Sequence, residues 1–274
     1  MRAWMNGELL TDPHAPALTI LDHGFTVGDG VFEAIKVLDG QPFALTRHLA
    51  RLGRSAASLG LPPLDEAEVR RGVATVLDGF LEPAGRLRIT YTGGPAPLGS
   101  GRGDAAPTLV MAAAPLGEWH PTTRVVTVPW PRNERGVLAG VKSTSYAENV
   151  IALAYAEQRG ATEAVFANLR GDLCEGTGSN VLYVLDGELR TPTLAAGCLA
   201  GITRALIVEW CGAVEVDEPM DRVAAEASEI FLASTTRDAQ AVVRWDDRNL
   251  DGPGPVTKQV QAEWRRREAA DLDP

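Results

Sequence analysis

The sequence has few of the residues that mark disulfide-linked, zinc-binding or membrane proteins. Its only cysteines are Cys174, Cys198 and Cys211, and none forms a CxxC pair, which argues against a disulfide framework and a zinc site. We therefore expect buried thiols and no metal. No run of 18 apolar residues occurs, and the N-terminal stretch MRAWMNGELLTD lacks the apolar segment of a signal peptide. We expect a cytoplasmic protein without a membrane partner.

Basic residues are also in the minority. The formal net charge of −10 would repel a phosphate backbone, and no basic stripe with interleaved aromatic residues offsets it. Nucleic acid is therefore not an expected partner. The 45% content of hydrophobic residues is ample for a packed core, and 274 residues suffice for one large domain or two smaller ones.

Lysine is the scarcest basic residue. Of the 26 lysines and arginines, only three are lysines: Lys36, Lys142 and Lys258. An arginine stays protonated, whereas a lysine amine can be deprotonated and act as a nucleophile, so a lysine in such a chain can be one whose amine is needed. Lys142, in the stretch GVKSTSYAENV, lies between a strand-forming region and a helix start, from which an amine can project into a cleft. The alternative is a coding bias for arginine, with Lys142 left by chance.

The first part of the chain alternates strand and helix patterns. Asn6-Gly7 and Asp39-Gly40 predict hairpin turns. A helix is predicted from Thr46, as its N-cap, to a stop at Gly60. The same patterns predict a helix over 64–81 and strands at Arg86–Thr92 and Thr108–Ala113, on either side of the loop GGPAPLGSGRGD. We predict an N-terminal α+β domain over 1–115 and a linker over 116–122, where PLGEWHPTT interrupts both periodicities.

The second domain, predicted over 123–274, mixes strands with interspersed helices. This pattern favours an α+β fold over a regular βαβ array. We expect the final residues, EAADLDP, to fray. The predicted elements are strands at Arg124–Val128, Glu163–Ala167, Val181–Val184, Glu229–Ala233 and Ala239–Val243, and helices from about Tyr146 to Gln158, after Gly201 and from about Val256.

Four further stretches contain candidate ligand-binding groups. Glu175 in LCEGTGSNVLYV is a carboxylate beside flexible backbone, or a solvated loop residue. Thr203 in AGITRALIVEW opens a helix whose N–H groups suit an anion, although ordinary helix starts look alike. The hydroxyls of FLASTTRDAQAV either donate to a ligand or form local ST turns. Arg51 in HLARL either binds a phosphate or faces water.

Together these groups match what pyridoxal 5′-phosphate (PLP) requires. The cofactor needs a lysine amine, a carboxylate that keeps its ring nitrogen protonated, and fixed donors for its phosphate.

In the order DHGFTVGDGVFEAIKV, HLARL, VKSTSYAENVIA, CEGTGSNV, GITR and ASTTRDA, the sequence resembles the class IV (fold type IV) PLP enzymes over nearly its whole length. These include D-amino-acid and branched-chain aminotransferases and aminodeoxychorismate lyase. The resemblance implies a two-domain α+β fold with the cofactor in the cleft between the domains, and a homodimer whose partner completes each site.

The resemblance also implies a role for each matching residue. Lys142 would form the Schiff base and act as general acid and base, and Glu175 would contact the pyridine nitrogen. Arg51 would bind the phosphate. The remaining cofactor contacts would come from the backbone N–H groups of Ile202 and Thr203, the hydroxyls of Thr235 and Thr236, and Leu199 against the ring.

The subfamily is harder to assign. The stretches FEAIKV, ITR and STT resemble D-amino-acid aminotransferases, although the loop TGGPAPLGSGRGD lacks their usual histidine. Val27 stands where branched-chain enzymes usually have tyrosine, and Ala34 near a position where lyases often have threonine. We therefore expect a D-amino-acid aminotransferase with a 2-oxo acid acceptor. The alternatives are aminodeoxychorismate lyase and a branched-chain L-amino-acid aminotransferase. Arg88 and Arg102 are the candidates for binding the substrate carboxylate.

Overall fold

A computed structural model describes all 274 residues, Met1–Pro274. They form two compact units. The first comprises Met1–Gly117, Val141–Tyr146 and Leu272–Pro274, and the second comprises Glu118–Gly140 and Ala147–Asp271. The first unit thus includes two short segments from within residues 123–274, the range predicted for the second domain.

The first unit is built on one six-stranded sheet. Its elements are β1 (Arg2–Met5), β2 (Glu8–Leu9), α1 (His23–Thr26), β3 (Gly30–Leu38), β4 (Gln41–Pro42), α2 (Leu45–Ser58), α3 (Glu66–Leu77), β5 (Ala84–Thr92) and β6 (Thr108–Pro115). The strand order is β2-β1-β6-β5-β3-β4, and every neighbouring pair is antiparallel. Both predicted hairpin turns are confirmed. Asn6, Gly7, Asp39 and Gly40 all have positive φ, as a two-residue turn of type I′ requires.

The core of this unit lies between one face of the sheet and helices α2 and α3. Because side chains alternate along a strand, β3 presents Val31 and Ile35 to this core, and β5 presents Leu87 and Ile89. The helices contribute the apolar stripes that their sequences predict, including Leu49, Leu52, Ala56, Val69 and Val73. The opposite face of the sheet is left to other side chains, which include Phe32 and Arg88.

The start of α2 corrects two predictions. Thr46 is not the N-cap: the helix begins at Leu45, and the N-cap is Ala44, which makes no side-chain hydrogen bond. A carboxylate distant in sequence takes over, because Asp273 accepts hydrogen bonds from the Thr46 backbone N–H (2.8 Å) and hydroxyl (2.6 Å). The Ala44 N–H donates to the Leu272 carbonyl at 2.6 Å. The predicted fraying of the last residues is therefore wrong.

The second unit contains a nine-stranded mixed sheet. Its elements are β7 (Thr122–Thr127), α4 (Ala147–Glu157), β8 (Glu163–Ala167), β9 (Leu173–Gly176), β10 (Asn180–Leu185), β11 (Glu188–Thr191), a 3₁₀ helix (Leu194–Ala196), α5 (Ile202–Cys211), β12 (Val214–Glu215), α6 (Met220–Glu226), β13 (Glu229–Ser234), β14 (Asp238–Trp245), β15 (Arg248–Asn249) and α7 (Pro255–Ala270). The strand order is β12-β11-β10-β13-β14-β7-β8-β9, with β15 added to β14.

The centre of this sheet is buried on both faces. Every residue of β10 is buried, which explains why its sequence reads as a continuous apolar run. Trp245 and Trp264 are among the largest fully buried side chains. Cys174 and Cys198 are buried as expected, whereas Cys211 is partly exposed. None of the helices has both the length and the apolar character needed to cross a bilayer.

Candidate active site

In the first unit, Lys142 lies along the edge of β3. Strand β4 pairs only with the end of β3, at Val37 and Leu38. The segment that contains Lys142 pairs with the beginning of β3, where Ser143 bridges to Val31. The Phe32 N–H donates to the Lys142 carbonyl at 2.9 Å, and the Lys142 N–H donates to the Ser55 hydroxyl of α2 at 3.4 Å. The backbone of Lys142 is thus tied to both a strand and a helix.

An aromatic ring lies beside the Lys142 amine. The Nζ atom is 4.5 Å from the centroid of the Phe32 ring, and the Arg88 guanidinium carbon is 3.9 Å from the same centroid. Tyr146 meets this ring edge-on, at 5.4 Å between centroids. Lys142 and Arg88, both of which were predicted, therefore contact the same ring. The distance between the Lys142 Nζ atom and the Arg88 guanidinium carbon cannot exceed the sum of their distances to the ring centroid. Arg88 Nε donates to the Thr90 hydroxyl at 3.1 Å.

Arg51 belongs to a buried group of three ionisable side chains. Its Nε and Nη2 atoms donate to the two carboxylate oxygens of Glu33 at 2.8 and 2.6 Å, which leaves its Nη1 edge turned away from Glu33. His48, one helical turn earlier, places Nδ1 2.7 Å from Glu33. Arg51 therefore does not face water, which was the alternative interpretation.

The pKa values of this group follow from burial and pairing. Burial opposes the charge on Glu33, but Arg51 outweighs it and, with His48, holds the pKa of Glu33 at about 2. Burial lowers the pKa of His48, which favours a neutral ring that donates from Nδ1 to Glu33. The His48 Nε2 atom is buried without a hydrogen-bond partner.

Arg102, the second candidate for the substrate carboxylate, binds protein groups instead. It pairs in a bidentate manner with Asp29, at 2.6 and 2.5 Å, and donates to the carbonyls of Leu59 and Gly60 at 2.7 and 2.8 Å. Four hydrogen bonds fix this guanidinium to the protein. Arg88, by contrast, makes one side-chain hydrogen bond, to Thr90.

In the second unit, Glu175 lies on strand β9, which the sequence did not predict. Its Oε2 atom accepts a hydrogen bond from the Leu199 backbone N–H at 2.9 Å, so two predicted residues are in direct contact. Arg132 Nε lies 3.4 Å from Oε1, and the Arg132 guanidinium stacks 4.1 Å from the Phe166 ring centroid. Glu175 is thus a largely buried carboxylate on a strand, paired with an arginine and a backbone N–H, and not a solvated loop residue.

The start of α5 has the features of an anion site. Ile202 and Thr203 are its first two residues, and the N-cap, Gly201, provides no side-chain hydrogen bond to the first turn. A Cβ atom at Gly201 would collide with the side-chain oxygen of Asn180, whose amide nitrogen donates to the Leu199 carbonyl at 2.9 Å. Glycine is therefore required here, and the first-turn N–H groups are not capped by a neighbouring side chain.

Thr235 and Thr236 lie in the turn between β13 and β14. The Arg237 N–H closes this turn on the Ser234 carbonyl at 3.1 Å. The Arg237 side chain stacks 4.2 Å from the Trp119 ring centroid and lies 3.1 Å from Oε2 of Glu163. Both threonines are partly exposed, so their hydroxyls can reach a ligand.

Several ionisable residues in these groups were not predicted from the sequence, among them Glu33, Arg132 and Glu163. The spacing of His48 and Arg51 could have indicated that one helix face carries two polar groups, which need a buried partner. No comparable local signal exists for Arg132 or Glu163, because their partners are distant in sequence.

Residues 30–245 match the family described as amino-transferase class IV. The chain belongs to this family. The family is PLP-dependent and of fold type IV, and its aminotransferases act on amino acids and 2-oxo acids, so the predicted family, α+β fold, cofactor and enzyme class are confirmed.

Relatives of the chain carry more than one activity in their names. It is 30% identical to a D-alanine aminotransferase of Bacillus licheniformis, with 95% of each chain covered. It is also 30% identical to a bifunctional aminodeoxychorismate lyase / D-amino acid transaminase of Mycobacterium tuberculosis, over 90% of this chain and 91% of that one. The structure of a branched-chain aminotransferase from Thermoproteus uzoniensis, solved with norvaline, superimposes with a TM-score of 0.90 at 28% identity, over 97% and 94% of the chains.

The groups described above fit the cofactor chemically. Glu175 is a carboxylate acceptor of the kind that suits a protonated ring nitrogen, and the uncapped start of α5 suits a phosphate. Lys142 offers a primary amine on a fixed backbone. These three features supply the kinds of contact that PLP requires.

Proposed function

We propose that this chain is an aminotransferase that moves the amino group of a D-amino acid to a 2-oxo acid. Two relatives with about the same length carry D-amino-acid activity in their names, and the stretches FEAIKV, ITR and STT resemble such enzymes. The observation that carries the proposal is the Phe32 ring shared by the Lys142 amine and the Arg88 guanidinium, because it sets an anion-binding group near the reactive nitrogen.

In this proposal the residues predicted to contact the cofactor have the following roles. Lys142 would form the covalent link to the cofactor, and Glu175 would accept a hydrogen bond from its protonated ring nitrogen. Arg51, the N–H groups of Ile202 and Thr203, and the hydroxyls of Thr235 and Thr236 bind the phosphate. Leu199 packs against the ring, and its N–H holds Glu175 in place.

Lys142 also carries the proton transfer. When bound, PLP supplies an electron sink for the electron pair that the substrate carbon keeps as its proton leaves. The Nζ atom of Lys142 accepts that proton and returns it at the cofactor side. The face of the Phe32 ring provides an apolar surface beside the amine. The hydrogen bond to Ser55 limits movement of the Lys142 backbone.

Arg88 is the proposed carboxylate-binding residue. A guanidinium can bind a carboxylate through two parallel N–H groups, and Arg88 uses only Nε in its bond to Thr90. Arg102 is bound to Asp29 and two carbonyls, so we assign it to loop attachment. An Arg88→Lys variant should keep the charge but lose the paired geometry.

The two alternative activities make different demands on the same fold. A lyase would release pyruvate and 4-aminobenzoate from aminodeoxychorismate, and the relative with both names keeps that activity open. Ala34 pairs with Arg88 across β3 and β5 and has no hydroxyl to assist such a release. Val27 stands where branched-chain enzymes usually have a tyrosine, and this difference argues against a branched-chain L-amino-acid substrate.

A half-reaction tests the assignment. Excess D-alanine or D-glutamate, added to PLP-loaded enzyme without an acceptor, should convert its absorption spectrum to that of pyridoxamine 5′-phosphate. Conversion by L-leucine or L-glutamate alone would replace the proposal by the branched-chain activity. Release of 4-aminobenzoate from aminodeoxychorismate, with no response to any amino acid, would establish the lyase.

We also propose that the enzyme is a cytoplasmic homodimer. Ile20 and Phe25, which are 77% and 70% exposed, support an apolar contact surface on the first unit. Light scattering coupled to size exclusion should give twice the mass of 29.2 kDa.

A further inference from the structure

Glu163 begins strand β8 and is 1% exposed. Its carboxylate accepts hydrogen bonds from two segments of the second unit. Oε1 accepts from the Thr177 backbone N–H at 2.9 Å and from the Thr177 hydroxyl. Oε2 accepts from the Ser179 hydroxyl at 3.3 Å and pairs with Arg237 at 3.1 Å. Burial raises the pKa of Glu163, and the nearby Arg237 and these hydrogen bonds oppose that shift by stabilising the charged form.

Both segments adjoin residues to which a cofactor contact was assigned above. Thr177 and Ser179 form the loop that directly follows Glu175. Arg237 closes the turn that contains Thr235 and Thr236. Glu163 itself is not predicted to contact the cofactor. It is bonded, however, to the loop after Glu175 and, through Arg237, to the Thr235–Thr236 turn.

A second chain of contacts connects the same loop to Glu175. The Asn149 side-chain amide donates to the Thr177 carbonyl. Arg132 donates to the Asn149 side-chain oxygen at 3.1 Å and approaches Glu175 at 3.4 Å. A displacement of Thr177 would therefore reach the Arg132–Glu175 pair through groups in direct contact.

We infer that Glu163 is a positioning residue for the cofactor, which holds the Thr235–Thr236 turn through Arg237 and the loop after Glu175 through Thr177 and Ser179. This inference rests on the cofactor roles proposed for Thr235 and Glu175. Because the turn is the part assigned to the phosphate, loss of the Glu163 charge should weaken recognition of the phosphate in particular.

The same unit offers a matched control in Glu229. Glu229 is also a buried glutamate at the first position of a strand, and its carboxylate accepts from the N–H groups of Val256 and Thr257 and from the Thr257 hydroxyl, at 2.7–3.0 Å. It caps helix α7, to which no cofactor contact is assigned. Glu163→Gln and Glu229→Gln thus remove the same charge from similar surroundings.

The measurement is the ratio of dissociation constants for pyridoxal, which lacks the phosphate, and PLP, obtained by titrating the apoenzymes. We expect Glu163→Gln to lower this ratio about tenfold, the effect of one charge-assisted hydrogen bond, and to shift the absorption maximum of the bound cofactor. Glu229→Gln should lower the melting temperature and leave the ratio unchanged. A purely structural role for Glu163 would weaken pyridoxal and PLP equally, and that result would overturn the inference.

Two further variants complete the test. Arg237→Met breaks the same ion pair from the other side, so it should lower the ratio even if Glu163→Gln does not fold. Thr235→Ala tests the proposed phosphate contact itself. If Thr235→Ala lowers the ratio and neither Glu163→Gln nor Arg237→Met does, only the inference about Glu163 fails. If Thr235→Ala has no effect, the phosphate assignment and the inference both fail.

Discussion

The pairing of Arg51 with Glu33 makes Arg51 important for folding as well as for the cofactor. Arg51→Ala would leave the buried Glu33 carboxylate with His48 as its only identified partner. We expect the free energy of unfolding to fall by roughly 3–5 kcal/mol, the typical cost of breaking a buried ion pair from one side. Chemical denaturation of the apoenzyme measures this change. A double variant, Glu33→Gln with Arg51→Met, should recover part of the loss, and an unchanged midpoint for Arg51→Ala would contradict the pairing.

The low pKa of Glu33 also predicts a pH dependence. A carboxyl whose pKa falls from 4.5 to about 2 on folding adds stability above pH 4.5, and this contribution is lost as the pH falls toward 2. The acid unfolding of the wild-type apoenzyme should therefore be steeper in this window than that of the Glu33→Gln variant. Parallel stability curves for the two proteins between pH 5 and pH 2 would show that Glu33 does not titrate in this way.

The sequence indicates candidate residues for a chemical task but not the residues that hold them in place. Lys142 was identified by its rarity and Arg51 by its motif, whereas Glu33 and Glu163 were not identified. Their partners lie 14 or more residues away, and only the folded chain brings them together. Periodicity in the sequence describes which face is buried but not which buried polar groups meet.

The contact between the C-terminal residues and α2 gives a prediction for a whole element. Asp273 supplies the cap that Ala44 cannot, so Asp273→Ala should lower the free energy of unfolding by about 0.5–2 kcal/mol, as loss of an N-cap usually does. Asp247→Ala, which removes an exposed aspartate that pairs at the surface with Arg244, is the control and should have little effect. Equal melting temperatures for the two variants would count against the cap.

The loop that contains Gly99 should respond to pH through His23. The two ring nitrogens of His23 face two acceptors, the Asp29 carboxylate at 2.9 Å and the Gly99 carbonyl at 3.0 Å. Only the protonated ring can donate to both, and the hydrogen bonds to Asp29 and Gly99 raise its pKa above 6.5, although burial and the nearby Arg102 oppose this. The stabilisation is present below pH 6.5 and is lost as the pH rises through the raised pKa.

NMR titration checks this behaviour. The His23 ring and the backbone amide of Gly99 should shift together with a midpoint above pH 6.5, and the Gly99 shift should be absent in His23→Gln. The ion pair between Arg102 and Asp29 should keep the loop attached above that midpoint. A midpoint at or below 6.5 would mean that Gly99 accepts no hydrogen bond from a charged ring.

Elements were predicted well where one local pattern sufficed. The strand at Glu163–Ala167 has the predicted bounds, and α2 and α3 form in the two regions predicted to be helical. Strand β9 and helix α6 were not predicted, because the short stretch that contains Glu175 has neither a clear alternation nor a helical period. The cap of α2 could not be predicted, since residue 273 meets residue 46 only in the folded chain.

At the scale of the whole molecule, the family and its cofactor follow from six short motifs in order along the chain. The fold places those motifs on strands and the loops that follow them, within helix α2, at the start of α5 and in the turn after β13. The substrate does not follow from the motifs, because relatives at 30% identity carry both transaminase and lyase names. We propose that it depends on a few side chains, among them Arg88 and Ala34, which pair across β3 and β5.

The central claim is that Lys142 carries the chemistry of this enzyme. Borohydride reduction of the PLP-loaded protein, followed by peptide mapping, tests it most directly, because reduction fixes the cofactor on the lysine that holds it. The account predicts one modified peptide, containing Lys142, and none in a Lys142→Ala variant that still binds PLP without a covalent link. Cofactor found on Lys36 or Lys258, or on no lysine, would contradict the account.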